Sequence, residues 1–150
     1  MENNVEQLSH WLKDLGDFQL NDEGNCFMVS ENNVEVAILG PENADRFYIN
    51  CFLIELNDAQ RDAVFELALS LNSYQEKTRG ATIALDQVNN RLNLCYRLEY
   101  QHCNYQEFVN ILSNLIELTK KFQVQFIELG QNSTAPAMQS APEDALMMRV

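Results

Sequence analysis

The sequence predicts an α+β fold, an α-βββ-α-ββ-α sandwich with helices packed on an antiparallel sheet, and three observations predict it. Leu92, Leu94, Tyr96, Leu98 and Tyr100 alternate with Arg91, Asn93, Cys95, Arg97 and Glu99, the period of a strand with one wet face. Two other segments, around residues 5–15 and 108–122, carry apolar residues at helical spacing. Between them lie short β-rich runs punctuated by Asn, Gly and Pro.

In chain order, Val5, Leu8, Leu12 and Leu15, with Trp11 beside them, form the stripe of an amphipathic first helix that Gly16 should stop. The cluster Asn21-Asp22-Glu23-Gly24-Asn25 is a turn. Cys26–Val29, Val34–Leu39 and Arg46–Leu56 then read as a three-stranded meander, broken at Glu31-Asn32-Asn33 and Gly40-Pro41-Glu42-Asn43. The third run, Phe47 to Ile54, is apolar on both faces, so it should be central and partly covered on each side. Asn57 and Gln60 are placed to cap a second helix. Ala81–Leu85 and Arg91–Tyr100, joined by Asp86-Gln87-Val88-Asn89-Asn90, form a hairpin. Asn104 caps a third helix whose seam is Phe108, Ile111, Leu112, Leu115, Leu118 and Phe122. Residues 1–129 make one domain, and 130–150, rich in Gln, Asn, Ser, Ala and Pro around the apolar patch Leu146-Met147-Met148, read as a flexible tail.

Composition limits function. The chain has 150 residues, 22 acidic and 10 basic, for a net charge of -12. Such a surface repels phosphate backbones and anionic lipid heads, which argues against nucleic-acid and membrane partners. No apolar run approaches the ~20 residues of a membrane span. The acidic start Met-Glu-Asn-Asn-Val-Glu lacks signal-peptide character, so a cytoplasmic setting is expected.

No catalytic or cofactor pattern emerges. Cys26, Cys51, Cys95 and Cys103 have no C-x-x-C spacing, so no metal site is expected. Gly16, Gly24, Gly40, Gly80 and Gly130 are isolated and build no phosphate-binding loop. His102 abuts Cys103, but adjacent side chains in a turn point apart and no third group accompanies them. The reading is a protein without enzyme activity and without a cofactor.

What stands out is surplus apolar surface. In the second helix Val64, Phe65, Leu67, Ala68, Leu69 and Leu71 wrap beyond the ~100° stripe one contact face needs. A second copy of the chain is the simplest partner for the excess around Phe65 and Leu69. Leu8, Trp11 and Leu12, with Phe27 and Val29, also exceed what one small core requires and suggest grooves for extended peptide.

Two stretches, Gly80-Ala81-Thr82-Ile83-Ala84-Leu85-Asp86 running on to Arg91–Leu98, and Tyr105–Leu112 continuing to Lys120-Lys121-Phe122, carry a family resemblance together with the size, acidity and element order. Over roughly residues 5 to 125 the chain resembles the class I type III secretion chaperones, the CesT-like or Tir-chaperone family. The resemblance implies a bacterial cytoplasmic homodimer that binds the extended N-terminal region of secreted effector proteins and hands them to the export apparatus, whose ATPase is a further partner. It implies a dimer seam at Val64, Phe65, Ala68 and Leu69, and an effector groove at Leu8, Trp11, Leu12, Phe27, Val29, Val36 and Ile38. A second reading of the same scaffold is a YbjN-like cytoplasmic regulator or general folding factor.

Overall fold

The computed structural model describes residues 4–134. The elements follow the expected order: α1 (Asn4–Gly16), β1 (Asn25–Val29), β2 (Glu35–Leu39), β3 (Arg46–Glu55), α2 (Arg61–Leu71), β4 (Thr82–Asp86), β5 (Arg91–Glu99) and α3 (Tyr105–Thr134). Short 3-10 turns follow α2 at Ser73–Gln75 and β5 at Tyr100–His102.

Among the described residues the strands form one antiparallel sheet in the order β1-β2-β3-β5-β4. β3 is central, and its residues alternate in burial: Phe47, Ile49, Cys51 and Leu53 are buried, while Tyr48, Asn50, Phe52 and Ile54 are half-buried. The register aligns Val36 with Cys51 and Ile38 with Ile49 on one side, and Leu94 with Cys51 on the other. These residues share a face, and α3 lies across it. Phe108, Leu112, Leu115, Leu118, Phe122 and Phe126 bury that helix's seam, whereas Ile111 is half-buried beside it.

α1 closes the other end of the same layer. Leu8 and Leu12 are fully buried, and Trp11 is 8% exposed. The Trp11 ring stacks on Phe108 at 5.6 Å and meets the edge of Phe47 at 6.0 Å. All three residues, expected in a groove, are packed in the core of the described chain. The stripe on α1 is the lid of the core, because it is the nearest apolar surface available to Phe47 and Phe108. Val36 and Ile38, expected in the same groove, are likewise buried, at 2% and 0% exposure.

Two helix ends also differ from expectation. Asp17, not Gly16, takes the left-handed position with φ 62°, and the Phe18 ring sits where a Cβ on Gly16 would be. Asn57 and Gln60 pair as expected, Oδ1 accepting from the Gln60 N–H at 3.0 Å and Nδ2 donating to Oε1 at 3.2 Å, but they form a turn and α2 starts at Arg61. At the chain's end α3 runs on to Thr134, past the expected start of the tail at Gly130; the remainder of that tail lies outside the described residues.

Trp11→Ala is expected to lower folding stability by about 3–5 kcal/mol, as for other buried aromatic truncations. Urea unfolding measures this, and a loss below about 1 kcal/mol would place Trp11 back on the surface.

Candidate functional site

Among the described residues the three helices leave one face of the sheet uncovered. Phe27, Val29, Glu35, Ala37, Asn50, Phe52, Arg91, Asn93 and Asp86 are brought together there by the ladder register. They line a furrow of about 360 Å³, joined by Asn89 from the hairpin turn. Its floor is mixed. The Arg91 guanidinium lies over the Phe52 ring at 5.1 Å and stands 3.7 Å from the Asp86 carboxylate. That carboxyl is held below its ordinary value by hydrogen bonds from Asn89, with Arg91 adding attraction.

The two sheet edges differ. On β4, the Ile83 N–H donates to Asn72 Oδ1 at 2.8 Å and the Ile83 carbonyl accepts from Asn72 Nδ2 at 3.0 Å. Gln75 Nε2 donates to Thr82 Oγ1 at 2.8 Å. The Asn72 side chain thus occupies that edge at Ile83. On β1, Asn21 occupies the first rung: its Oδ1 accepts from the Asn25 N–H, and its own N–H donates to the Asn25 carbonyl. Antiparallel alternation then turns the N–H and C=O groups of Phe27 and Val29 to the same outer side, with no strand beyond β1 among the described residues. Their side chains are 67% and 62% exposed on the bare face. An unpaired edge bearing two exposed apolar side chains is a template for another strand.

Of the residues expected to form a groove, the structure brings Phe27 and Val29 to this surface and places Leu8, Trp11, Leu12, Val36 and Ile38 in the core. Sequence reasoning missed Phe52, Asn50, Arg91 and Asn93, although the two-faced apolar run of β3 was the signal for Phe52. A second exposed apolar surface lies on α2. Leu69 is 71% exposed, and Phe65 is half-buried with the Arg61 guanidinium 5.0 Å over its ring. Val64 and Ala68, expected on the same seam, face the core at 3% and 6% exposure. At 100° per residue Phe65 and Leu69 lie one step round the helix from Val64 and Ala68, on the side turned away from the core.

The cysteines offer no nucleophile. Burial pushes Cys51 up to about 11, and Cys95 up to about 11 with help from Asp86. Cys103 is pushed up to about 11 by burial and then by Glu107, and its thiol donates to the Asn104 carbonyl at 3.4 Å. His102 Nε2 instead stands 3.7 Å from Glu99. The pair therefore holds no thiolate at neutral pH. Among the described residues no helix is long and apolar enough to cross a membrane, and no group of three His, Cys, Asp or Glu side chains could hold a metal ion.

The model of the Tir chaperone protein (CesT) family matches residues 3–123. No curated protein matches the chain. Among solved structures the fold is similar to the ExsC-ExsE complex, with TM-score 0.65 and 16% identity over 79% of this chain and 90% of that one. It is similar to the Yersinia pestis type III secretion chaperone SycH in complex with a YscM2 fragment, with TM-score 0.59 and 15% identity over 80% and 99% of the two chains. YbjN from E. coli is also similar, with TM-score 0.58 and 20% identity over 82% and 90%.

Because burial raises all four thiols, Cys51, Cys95 and Cys103 to about 11, a thiol reagent at pH 7.5 is expected to modify the folded protein far more slowly than the urea-unfolded chain. One rapid equivalent from the folded protein at that pH would contradict the assignment of Cys103 as a structural residue.

Proposed function

This chain belongs to the Tir chaperone protein (CesT) family, and from that premise we propose that it is a non-enzymatic type III secretion chaperone acting in the bacterial cytoplasm. It binds the extended N-terminal region of one or more effector proteins and keeps them soluble and competent for secretion. The observation that carries this reading is the free outer edge of β1, where Phe27 and Val29 offer both backbone groups and exposed apolar side chains.

Magnitudes decide how such an edge works. Each hydrogen bond to an added strand contributes about 0.5–1.5 kcal/mol net. With two backbone groups at each of Phe27 and Val29, the total is comparable to the ~2–5 kcal/mol lost in ordering a disordered segment. Backbone pairing alone therefore comes out near zero. The surplus must come from apolar side chains of the guest laid along Phe27, Val29, Ala37 and Phe52, at roughly 25 cal/mol per Å². Affinity of this kind needs alternating apolar residues and little else, which suits a carrier of more than one client.

The proposal includes a homodimer joined through the outward side of α2. Phe65 and Leu69 lie one turn apart, and Leu85 of β4, 40% exposed on the Ile83 face, flanks the helix that Asn72 ties to that strand. The YbjN-like reading shares the fold, so partner identity separates the two: an effector N-terminus, or a folded regulatory protein.

Leu69→Asp is expected to weaken self-association by several kcal/mol, since the dimer would bury an unpaired carboxylate. Sedimentation at micromolar concentration should show monomer with an intact circular-dichroism spectrum; an unchanged dimer would remove α2 from the interface. Phe27→Asp with Val29→Asp should leave stability within about 1 kcal/mol, because both side chains are exposed, while lowering capture of a co-expressed secreted protein at least tenfold. Capture that survives this double change would sink the β1 edge as the binding site.

A further inference from the structure

Tyr74, in the turn after α2, is 95% exposed, and its backbone stands at φ 58°, where residues with a side chain seldom sit. Gln75 and Arg79 of the same loop are left-handed too, at φ 54° each. The loop is nevertheless pinned. The Gln75 N–H donates to the Asn72 carbonyl at 3.0 Å, Gln75 Nε2 donates to Thr82 Oγ1 at 2.8 Å, and the Gly80 N–H donates to the Gln75 carbonyl at 3.0 Å. Strain held by surrounding bonds, with an exposed ring at its centre, points to a contact outside the chain. We infer that, in a pair of copies, Tyr74 of each protomer closes over the partner's Arg61 and completes the seam on α2. The inference rests on the reading of α2 as that seam.

The seam needs an addition. A specific interface buries about 800 Å² on each partner, more than the side chains of Phe65, Leu69 and Leu85 supply. A closed pair of identical chains is two-fold, so what one copy offers the other must receive. Parallel α2 helices would set the exposed Asp62 and Glu66 against their own copies, and antiparallel helices carry them apart. With the axis midway between Phe65 and Leu69, each Phe65 meets the partner's Leu69. Helical rise then places Arg61 about 9 Å to one side of the axis. Tyr74, reached through Asn72 and the 3-10 turn, stands roughly 10–12 Å to the other. The two-fold therefore brings each Tyr74 level with the partner's Arg61.

Arg61 is prepared for the contact. Its Nη1 donates to Asn90 Oδ1 at 2.9 Å, and its guanidinium lies 5.0 Å over the Phe65 ring. One planar face is thus taken and the orientation of the group is set. The other face receives a second aromatic ring, which adds both contact area and attraction to the cation. A tyrosine suits the rim of such a seam, because its ring packs while its hydroxyl stays in water.

The test is sedimentation equilibrium of the full chain at micromolar concentration, with Tyr74→Asn, Tyr74→Phe, Arg61→Gln and the combination of Tyr74→Asn with Arg61→Gln. Asn tolerates the left-handed position and lacks the ring. Tyr74→Asn and Arg61→Gln are each expected to raise the dimer dissociation constant at least about tenfold, since each removes the stacked contact twice per dimer. Tyr74→Phe should change it less than about threefold, and the combination should cost no more than the larger single change. In the Leu69→Asp background, Tyr74→Asn should leave the unfolding midpoint equal or higher; a lower one would make Tyr74 a residue of the fold and overturn the inference. An unchanged dissociation constant for Tyr74→Asn overturns it while the α2 seam stands. Single effects that multiply in the combination also overturn it, because they separate Tyr74 from Arg61. A wild-type chain that sediments as a monomer removes the seam and this inference with it.

Discussion

A five-stranded antiparallel sheet has two faces, and this chain supplies helices for one. Everything distinctive about the molecule follows from that shortage. β3 carries apolar residues on both sides, but α1, α2 and α3 bury Phe47, Ile49, Cys51 and Leu53, and leave Tyr48, Asn50, Phe52 and Ile54 half-covered. A sheet face with this mixture is neither a finished core nor a fully wet surface. The aromatic group Trp11, Phe47, Tyr100 and Phe108 fixes which face is sealed, because its rings lie within 4.9–6.0 Å of their neighbours. Once those rings pack, strand alternation dictates which residues remain outside.

The edges turn this layer arrangement into a direction for binding. On β4, Asn72 satisfies the Ile83 backbone and Gln75 donates to the Thr82 hydroxyl. That fills the rung at Ile83 and leaves the flank of α2 free for side-chain packing. β1 has Asn21 at its first rung and, among the described residues, no strand after it. The two open surfaces are therefore chemically unlike: one offers backbone hydrogen bonds, the other apolar side chains on a helix. A strand-like guest suits the first, and a rigid folded surface, such as another copy of α2, suits the second.

Much of this was legible. The alternation of Leu92 to Tyr100 and the seam from Phe108 to Phe122 stand in the sequence because each needs one period to be read correctly, and both appear in the structure. The split between core and surface on α1, β1 and β2 was not legible, for a reason of symmetry. A stripe such as Leu8, Trp11 and Leu12 looks the same whether it faces its own sheet or a guest. A strand such as Glu35–Leu39 buries either its even or its odd residues, and a shift of one in register exchanges them. Val36 and Ile38 went inside because they pair with Cys51 and Ile49, while Phe27 pairs with Ala37 on the other face. Those pairings are tertiary facts. On α2 the same ambiguity divided Val64 and Ala68 from Phe65 and Leu69.

A surface that stays open must also stay soluble, and the net charge of -12 bears on both needs. Mutual repulsion keeps copies from joining edge to edge through β1, where exposed apolar side chains beside free backbone groups would otherwise invite sheet extension. Within about 8–10 Å at physiological salt the same field attracts a basic guest and is screened beyond that distance. The repulsion acts on whole molecules, whereas the attraction of apolar side chains is short-ranged and indifferent to charge. A basic, extended polypeptide meets less of this repulsion than a second acidic domain does.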